Sequence, residues 1–89
     1  MRHARPEDLK GISDLLNEVR KINGIRERSC GHFYFKGRGI LHFHEDNGKI
    51  YADIEEERLL LGNVSSVSHE MMKKCLDLVE KHVSKERNE

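Results

Sequence analysis

The chain has 89 residues, in which 16 Lys and Arg balance 16 Asp and Glu for a formal net charge of zero. This length predicts one domain, residues 1–89, with a two-layer core and no room for a second one. The zero net charge argues against a protein whose main task is to neutralise phosphates, and so disfavours nucleic acid as a partner.

The apolar segments are all shorter than the ~20 residues that a membrane span needs, and no signal-peptide hydrophobic region follows the N-terminus. We therefore predict a cytoplasmic protein that has no membrane partner. Cys30 and Cys75 form no C-x-x-C pair, which favours reduced thiols over a disulfide or a zinc site. A charged fraction of 36% and the lack of Gln, Thr and Trp resemble thermophile compositions.

Residues 1–5 are predicted to fray, and His3 within them carries no functional signal. Pro6 and the two acidic residues after it mark a helix start, because proline fits the first helical position and acids favour the positive end of the helix dipole. Apolar residues at three-to-four spacing predict that this helix continues to Asn23–Gly24, where glycine can cap it. These apolar residues are Leu9, Ile12, Leu15, Leu16, Val19 and Ile22.

Residues 31–54 contain three alternating apolar and polar runs, which predict an antiparallel β-meander. A short lead-in or edge strand, Ile25–Ser29, precedes it, and Cys30–Gly31 is predicted to form a bulge or bend. Asn47–Gly48 favours a two-residue type I′ turn. That turn pairs Asp46 with Lys49, His44 with Tyr51, Phe43 with Ala52, His42 with Asp53 and Leu41 with Ile54.

The first hairpin of the meander is predicted to have a three-residue turn at Gly37–Gly39. This turn would pair Lys36 with Ile40, Phe35 with Leu41, Tyr34 with His42, Phe33 with Phe43 and His32 with His44. Both hairpins then agree on one apolar face, because strand side chains alternate. That face comprises Phe33, Phe35, Leu41, Phe43, Ile50, Ala52 and Ile54. The opposite, polar face comprises His32, Tyr34, His42, His44, Tyr51 and Asp53.

Leu59–Leu61 is predicted to be a buried connection or a short fourth strand. A second amphipathic helix is predicted from Ser66 or Ser68, both good N-caps, to about Val83, and residues 85–89 are predicted to fray. Its buried side comprises Met71, Met72, Cys75, Leu76, Val79 and Val83. The fold class is therefore α+β, a two-layer α-β-β-β-α sandwich whose antiparallel meander carries both helices on one face.

The polar face of the meander is the candidate site. Histidines two apart on one strand project to the same side about 7 Å apart at Cα, and cross-strand neighbours lie closer still. His42, His44 and Asp53, with His32 nearby, therefore form a candidate ligand set for a divalent transition metal such as zinc, manganese or ferrous iron. Two alternatives stay open, a solvated face without a ligand, and acid–base chemistry in which Asp53 orients His42. Tyr34 and Tyr51 are candidate ligand-binding residues on the same face.

The segment Leu41–His44, with its H-x-H pattern, is followed by a glycine turn and by Ala52–Asp53. This arrangement resembles the core of the small bacterial domains catalogued as luciferase-like. The resemblance covers the meander only and would map onto His42, His44 and Asp53. It implies an α+β domain with a polar His/Asp surface, and neither a light-emitting reaction nor a flavin cofactor follows from it.

The sequence thus favours a small domain that binds a metal or a small ligand on its polar face, without identifying a reaction. The alternative is a protein–protein interaction module that homodimerises through the sheet face or an edge strand and has no catalytic activity. A nucleic-acid binder that uses Lys36 and Arg38 ranks last, because the net charge is zero.

Overall fold

Two helices and a curled antiparallel sheet make up the computed structural model, which describes residues 1–88. The predicted α+β class is confirmed, and the sheet extends well beyond the three-stranded meander. The helices are α1 (Ser13–Arg20) and α2 (His69–Arg87), and a 3₁₀ helix, Pro6–Ile12, precedes α1. The strands are β1 (Arg2–His3), β2 (Ile25–Ser29), β3 (His32–Phe35), β4 (Arg38–Asp46), β5 (Lys49–Ile54), β6 (Glu57–Asn63) and β7 (Ser66–Val67).

Strand β4 is the centre of the sheet, because β3 and β1 share one of its edges and β5 covers the other. The β4–β5 register agrees with the prediction at every pair, from Asp46 opposite Lys49 to Leu41 opposite Ile54. Asn47 and Gly48 have φ angles of 52° and 79°. Positive φ at both central residues is what a type I′ turn requires, so the Asn-Gly signal correctly fixed this hairpin.

The predicted register of the β3–β4 hairpin is wrong. Its turn consists of two residues, Lys36 and Gly37, with φ angles of 53° and 81°, so Phe35 pairs with Arg38 and Tyr34 with Gly39. The register then shifts, and Phe33 pairs with Leu41. This bulge restores the alternation that the tight turn would otherwise reverse, which is why the predicted apolar face is still buried. In consequence His32 does not pair with His44, nor Tyr34 with His42.

The prediction that residues 1–5 fray is also wrong. Arg2 pairs with Glu45 and His3 with His44 to form β1, and the backbone N–H of Ala4 donates to Phe43 O at 3.0 Å. Ion pairs from Arg2 to Glu45 and to Asp8 hold this short strand in place. A two-residue strand has no periodicity to detect, so the sequence carried no sign of it.

The first predicted helix occurs as two consecutive segments, the 3₁₀ helix and α1. Five of its six stripe residues are buried, and Ile22 packs at the margin of the core. Gly11 lies where the first segment passes the β6–β7 turn, and a Cβ there would lie 2.8 Å from Val64 O. That close approach requires glycine.

The triple leucine belongs to strand β6, where Leu61 is buried and Leu60 is exposed. The second predicted helix is confirmed, with Ser68 as its N-cap, since the Ser68 side chain accepts a hydrogen bond from Met71 N. Its last turn extends to Arg87, so fraying from residue 85 is not observed, and Glu89 lies outside the described residues.

The core lies between the two helices and one face of the sheet. Phe33, Phe43, Ile50, Val79 and Val83 are each at most 1% exposed. They belong to one continuous apolar cluster to which both helices and the central strands contribute, as a two-layer domain requires. Neither helix within residues 1–88 is long and apolar enough to cross a membrane.

Candidate metal site

The polar face of β4 and β5 is positioned by the apolar residues behind it. Leu41 and Phe43 point into the core, and strand alternation directs His42 and His44 to the opposite side. Because the Asn47–Gly48 turn sets the register, His42 lies directly opposite Asp53. The site is therefore a consequence of core packing and one tight turn.

Asp53 is the centre of the cluster and is only 7% exposed. It is the one charged residue within residues 1–88 that is buried. Its Oδ2 lies 2.8 Å from His44 Nδ1 and 3.4 Å from His42 Nε2. Each of the three residues has one potential ligand atom, and these three atoms all lie within 4.8 Å of one another. A carboxylate and two imidazoles thus converge on one small volume.

His44 Nδ1 is buried and has no hydrogen-bond partner among the described residues. The nearby Asp53 Oδ2 is close enough at 2.8 Å, but the direction of the ring N–H does not satisfy hydrogen-bond geometry. A buried polar atom without a partner is costly. This nitrogen faces the Asp53 carboxylate without a hydrogen bond to it, so in the tautomer that leaves it unprotonated it offers a lone pair to a metal ion.

Arg58 on β6 binds the same carboxylate through two hydrogen bonds. Its Nε donates to Asp53 Oδ1 at 2.7 Å and its Nη2 donates to Oδ2 at 2.9 Å. This guanidinium holds the pKa of Asp53 below its ordinary value, against the opposing effect of burial. The carboxylate is therefore ionised at neutral pH, as a metal ligand must be.

Burial lowers the pKa of His42, although the Asp53 carboxylate acts in the opposite direction. Neighbouring His44, His3 and His32 lower the pKa further, because a positive charge on several adjacent imidazoles is unfavourable. A neutral imidazole has a free nitrogen lone pair, which is the form that coordinates metal ions.

His3 and His32 complete a group of four imidazoles. The ring centroid of His3 lies 4.5 Å from that of His44, 5.8 Å from that of His42 and 5.5 Å from that of His32. The rings of His32 and His42 are stacked, with centroids 6.1 Å apart. The sequence predicts His32 on this face, whereas it gives no sign of His3 there, because the strand that carries His3 is too short to detect.

The two predicted ligand-binding tyrosines lie in different surroundings. Tyr51 is half-buried directly opposite His44, beside the imidazole group. Tyr34 pairs with Gly39, and the guanidinium carbon of Arg28 lies 4.7 Å above its ring centroid. The binding role of both tyrosines stays a prediction.

The donor set suits a borderline metal ion. Imidazole nitrogen and carboxylate oxygen are the ligands of many Zn²⁺, Mn²⁺ and Fe²⁺ sites, and two histidines with one carboxylate leave further coordination positions open. The converging donor atoms, the neutral His42, the ionised Asp53 and the unpartnered His44 Nδ1 all fit such an ion. His42, His44 and Asp53 form a cluster that could hold a metal.

No family model, curated protein or solved structure matches this chain. The resemblance of the meander to luciferase-like domains stays a prediction, as do the homodimer and the disfavoured nucleic-acid partner. Any function must therefore be inferred from the geometry of the side chains.

Proposed function

We propose that this domain binds one divalent transition metal ion through His42, His44 and Asp53. The observation that carries the proposal is the buried Nδ1 of His44, which has no hydrogen-bond partner within residues 1–88 and lies beside Asp53 in a group of atoms that could hold a metal. An imidazole on a solvated sheet face needs no hydrogen-bond partner within the protein, because water forms that hydrogen bond. A buried nitrogen that faces a carboxylate and a second imidazole is explained by a cation between them.

The remaining imidazoles give the ion a choice of further ligands. His3 on β1 and His32 on β3 approach the group from the same edge of β4, and both lie beside His42. A tetrahedral ion would take one of them as a fourth ligand, whereas an octahedral ion would also keep water. A metal with an open position polarises a bound water or carbonyl group.

The proposal is tested by metal analysis and titration of protein purified without a histidine tag or chelator. We expect one Zn²⁺, Mn²⁺ or Fe²⁺ per chain, and saturable binding of that ion by the metal-free protein. His42→Ala and Asp53→Asn should each abolish stoichiometric binding, because each removes one of three ligands.

His69→Ala is the matched control, since His69 lies at the start of α2 and outside the imidazole group. It should bind metal as the unaltered protein does, and circular dichroism should show all three variants folded. Wild-type metal content in both His42→Ala and Asp53→Asn would refute the proposal.

A further inference from the structure

A second polar feature lies at the other end of β3, where a groove of about 510 Å³ opens between β2, the β3–β4 turn and the end of α2. This volume falls within the roughly 300–1,000 Å³ of small-molecule sites in proteins. Four of its lining residues are cations and none is acidic. The lining comprises Asn23, Gly24, Arg26, Arg28, Tyr34, Phe35, Lys36, Gly37 and Arg87.

The local structure separates the two arginines of β2, Arg26 and Arg28, from the acidic residue between them. In β2, Glu27 turns away from the groove and pairs with Arg20 of α1. Arg26 pairs in the sheet with Tyr34, and a register shift between Glu27 and Ser29 frees Arg28, which lies over the Tyr34 ring. The neutral chain thus carries a strongly positive surface at this position.

Two of the four cations have no carboxylate partner within residues 1–88. Arg26 makes no ion pair or side-chain hydrogen bond there, and Arg28 makes only its stacking contact with Tyr34. The other two are held in position by backbone carbonyls, since Lys36 Nζ donates to Glu86 O at 3.1 Å and Arg87 donates to Asn23 O. Neither Lys36 nor Arg87 makes an ion pair with a carboxylate within residues 1–88.

We infer that this groove binds a small phosphate-bearing ligand with more than one anionic group, such as a pyrophosphate or a nucleoside polyphosphate. Guanidinium groups present paired N–H donors that match phosphate oxygens, and an arginine stacked on an aromatic ring is already ordered for that contact. Lys36 in the β3–β4 turn and Arg87 at the end of α2 supply further charge. The site is separate from the imidazole group and does not depend on a bound metal.

The test is isothermal titration calorimetry of the full chain at low ionic strength, with inorganic pyrophosphate and ATP as two separate probes. Saturable binding of either probe with one site per chain is expected. Equal affinities would assign recognition to the phosphates alone, whereas tighter ATP binding would add a contact between its base and the Arg28–Tyr34 stack.

Arg26→Ala and Arg28→Ala should each raise the dissociation constant roughly tenfold, since each removes a charge-assisted hydrogen-bond donor. Lys74→Ala is the matched control, because it removes the same charge from an exposed site on α2 outside the groove. It should leave the dissociation constant within about twofold.

Three outcomes would overturn the inference. The first is that neither probe binds. The second is that Lys74→Ala weakens ligand binding as much as the two arginine variants do. The third is that single-stranded oligonucleotides bind with an affinity that grows with their length, while ATP binds weakly. The last result would assign the surface to a nucleic acid. Zinc titration of Arg26→Ala should match that of the unaltered protein, so failure at this groove would leave the metal proposal intact.

Discussion

Arg58 and Asp53 form a two-fold hydrogen-bonded ion pair across β5 and β6, with Nε–Oδ1 and Nη2–Oδ2 distances of 2.7 and 2.9 Å. The same carboxylate faces His42 and His44. A metal ion at the imidazole group must therefore share Asp53 with a guanidinium, which also repels it. Arg58 therefore has two opposing effects on metal binding. It keeps the Asp53 carboxylate ionised and in place, but it also occupies carboxylate lone pairs that a metal ion would use.

Replacement of Arg58 by Met should strengthen metal binding. The change removes a positive charge next to the ion and frees carboxylate lone pairs, so the dissociation constant for Zn²⁺ should fall by roughly tenfold. A competition titration against a chromophoric zinc chelator measures it. Lys49→Met is the matched control, because Lys49 lies on the same strand and face as Asp53, and its replacement removes the same charge at a greater distance from the site. Weaker binding by Arg58→Met would mean that orientation of Asp53 is its dominant effect.

His3→Ala should weaken metal binding without unfolding the domain. The ring of His3 is closer to that of His44 than any other imidazole is, and its side chain is exposed, so truncation costs little stability. We expect a rise in the zinc dissociation constant of roughly tenfold, as for loss of one charged-group contact. His69→Ala serves again as the control. Identical constants for the two variants would restrict the ligand set to His42, His44 and Asp53.

The part of the site that the sequence predicts is the part set by local turn chemistry. Asn47–Gly48 requires a two-residue turn, and the alternation of β4 and β5 then determines every pair up to His42 and Asp53. The core follows from the same alternation. The Asn47–Gly48 turn and the alternation of the strand residues were sufficient to predict both the core and the pairing of His42 with Asp53.

The missed residues depend on contacts that leave no local pattern. His3 reaches the imidazole group through a two-residue strand, and Arg58 reaches Asp53 through the β5–β6 register, Asp53 opposite Arg58. The β3–β4 hairpin needed both a turn at Lys36–Gly37 and a compensating bulge, and neither alone preserves the apolar face. Such paired exceptions require the tertiary packing to be known.

Gly31→Ala should destabilise the domain, because an added Cβ would crowd the core beneath the sheet. The φ angle of Gly31 is +79°, and an added Cβ would lie 2.7 Å from Leu9 Cδ1 and 3.4 Å from a ring carbon of Phe43. Gly48 has the same φ angle, with nothing within 4 Å of an added Cβ. Gly48→Ala therefore isolates backbone strain, about 1–2 kcal/mol. Gly31→Ala should cost more in urea unfolding, and equal losses would contradict the contact with Leu9.

The two cysteines should differ sharply in reactivity. Burial raises the pKa of Cys75 to about 12, and its side chain is fully covered by the core, whereas Cys30 is exposed. Because the thiolate is the reactive form, a disulfide-exchange reagent at pH 8 should label one thiol per native chain. Cys30→Ser should abolish the fast reaction, and unfolding in urea should expose the second thiol. Two fast thiols in the native protein would contradict the buried position of Cys75.

Glu27 should make folding stability depend on pH. Its carboxylate accepts hydrogen bonds from Arg20 Nε at 2.6 Å and Nη2 at 3.0 Å and from Gly31 N at 2.9 Å, and the pKa falls below 4.5 chiefly through Arg20. A lowered folded-state pKa stabilises the protein above the unfolded-state value, and the contribution is lost as pH falls through the folded-state value. Glu27→Gln should therefore cost about 1 kcal/mol at pH 7 and much less at pH 3.

Urea unfolding of Glu27→Gln and of the unaltered protein at both pH values measures the difference. Glu80→Gln is the matched control, because Glu80 is exposed on α2 and makes no ion pair within residues 1–88. Its stability difference should be near zero at both pH values. A cost of Glu27→Gln that is the same at pH 3 as at pH 7 would show that shape and hydrogen bonding, rather than the carboxylate charge, connect α1 to β2.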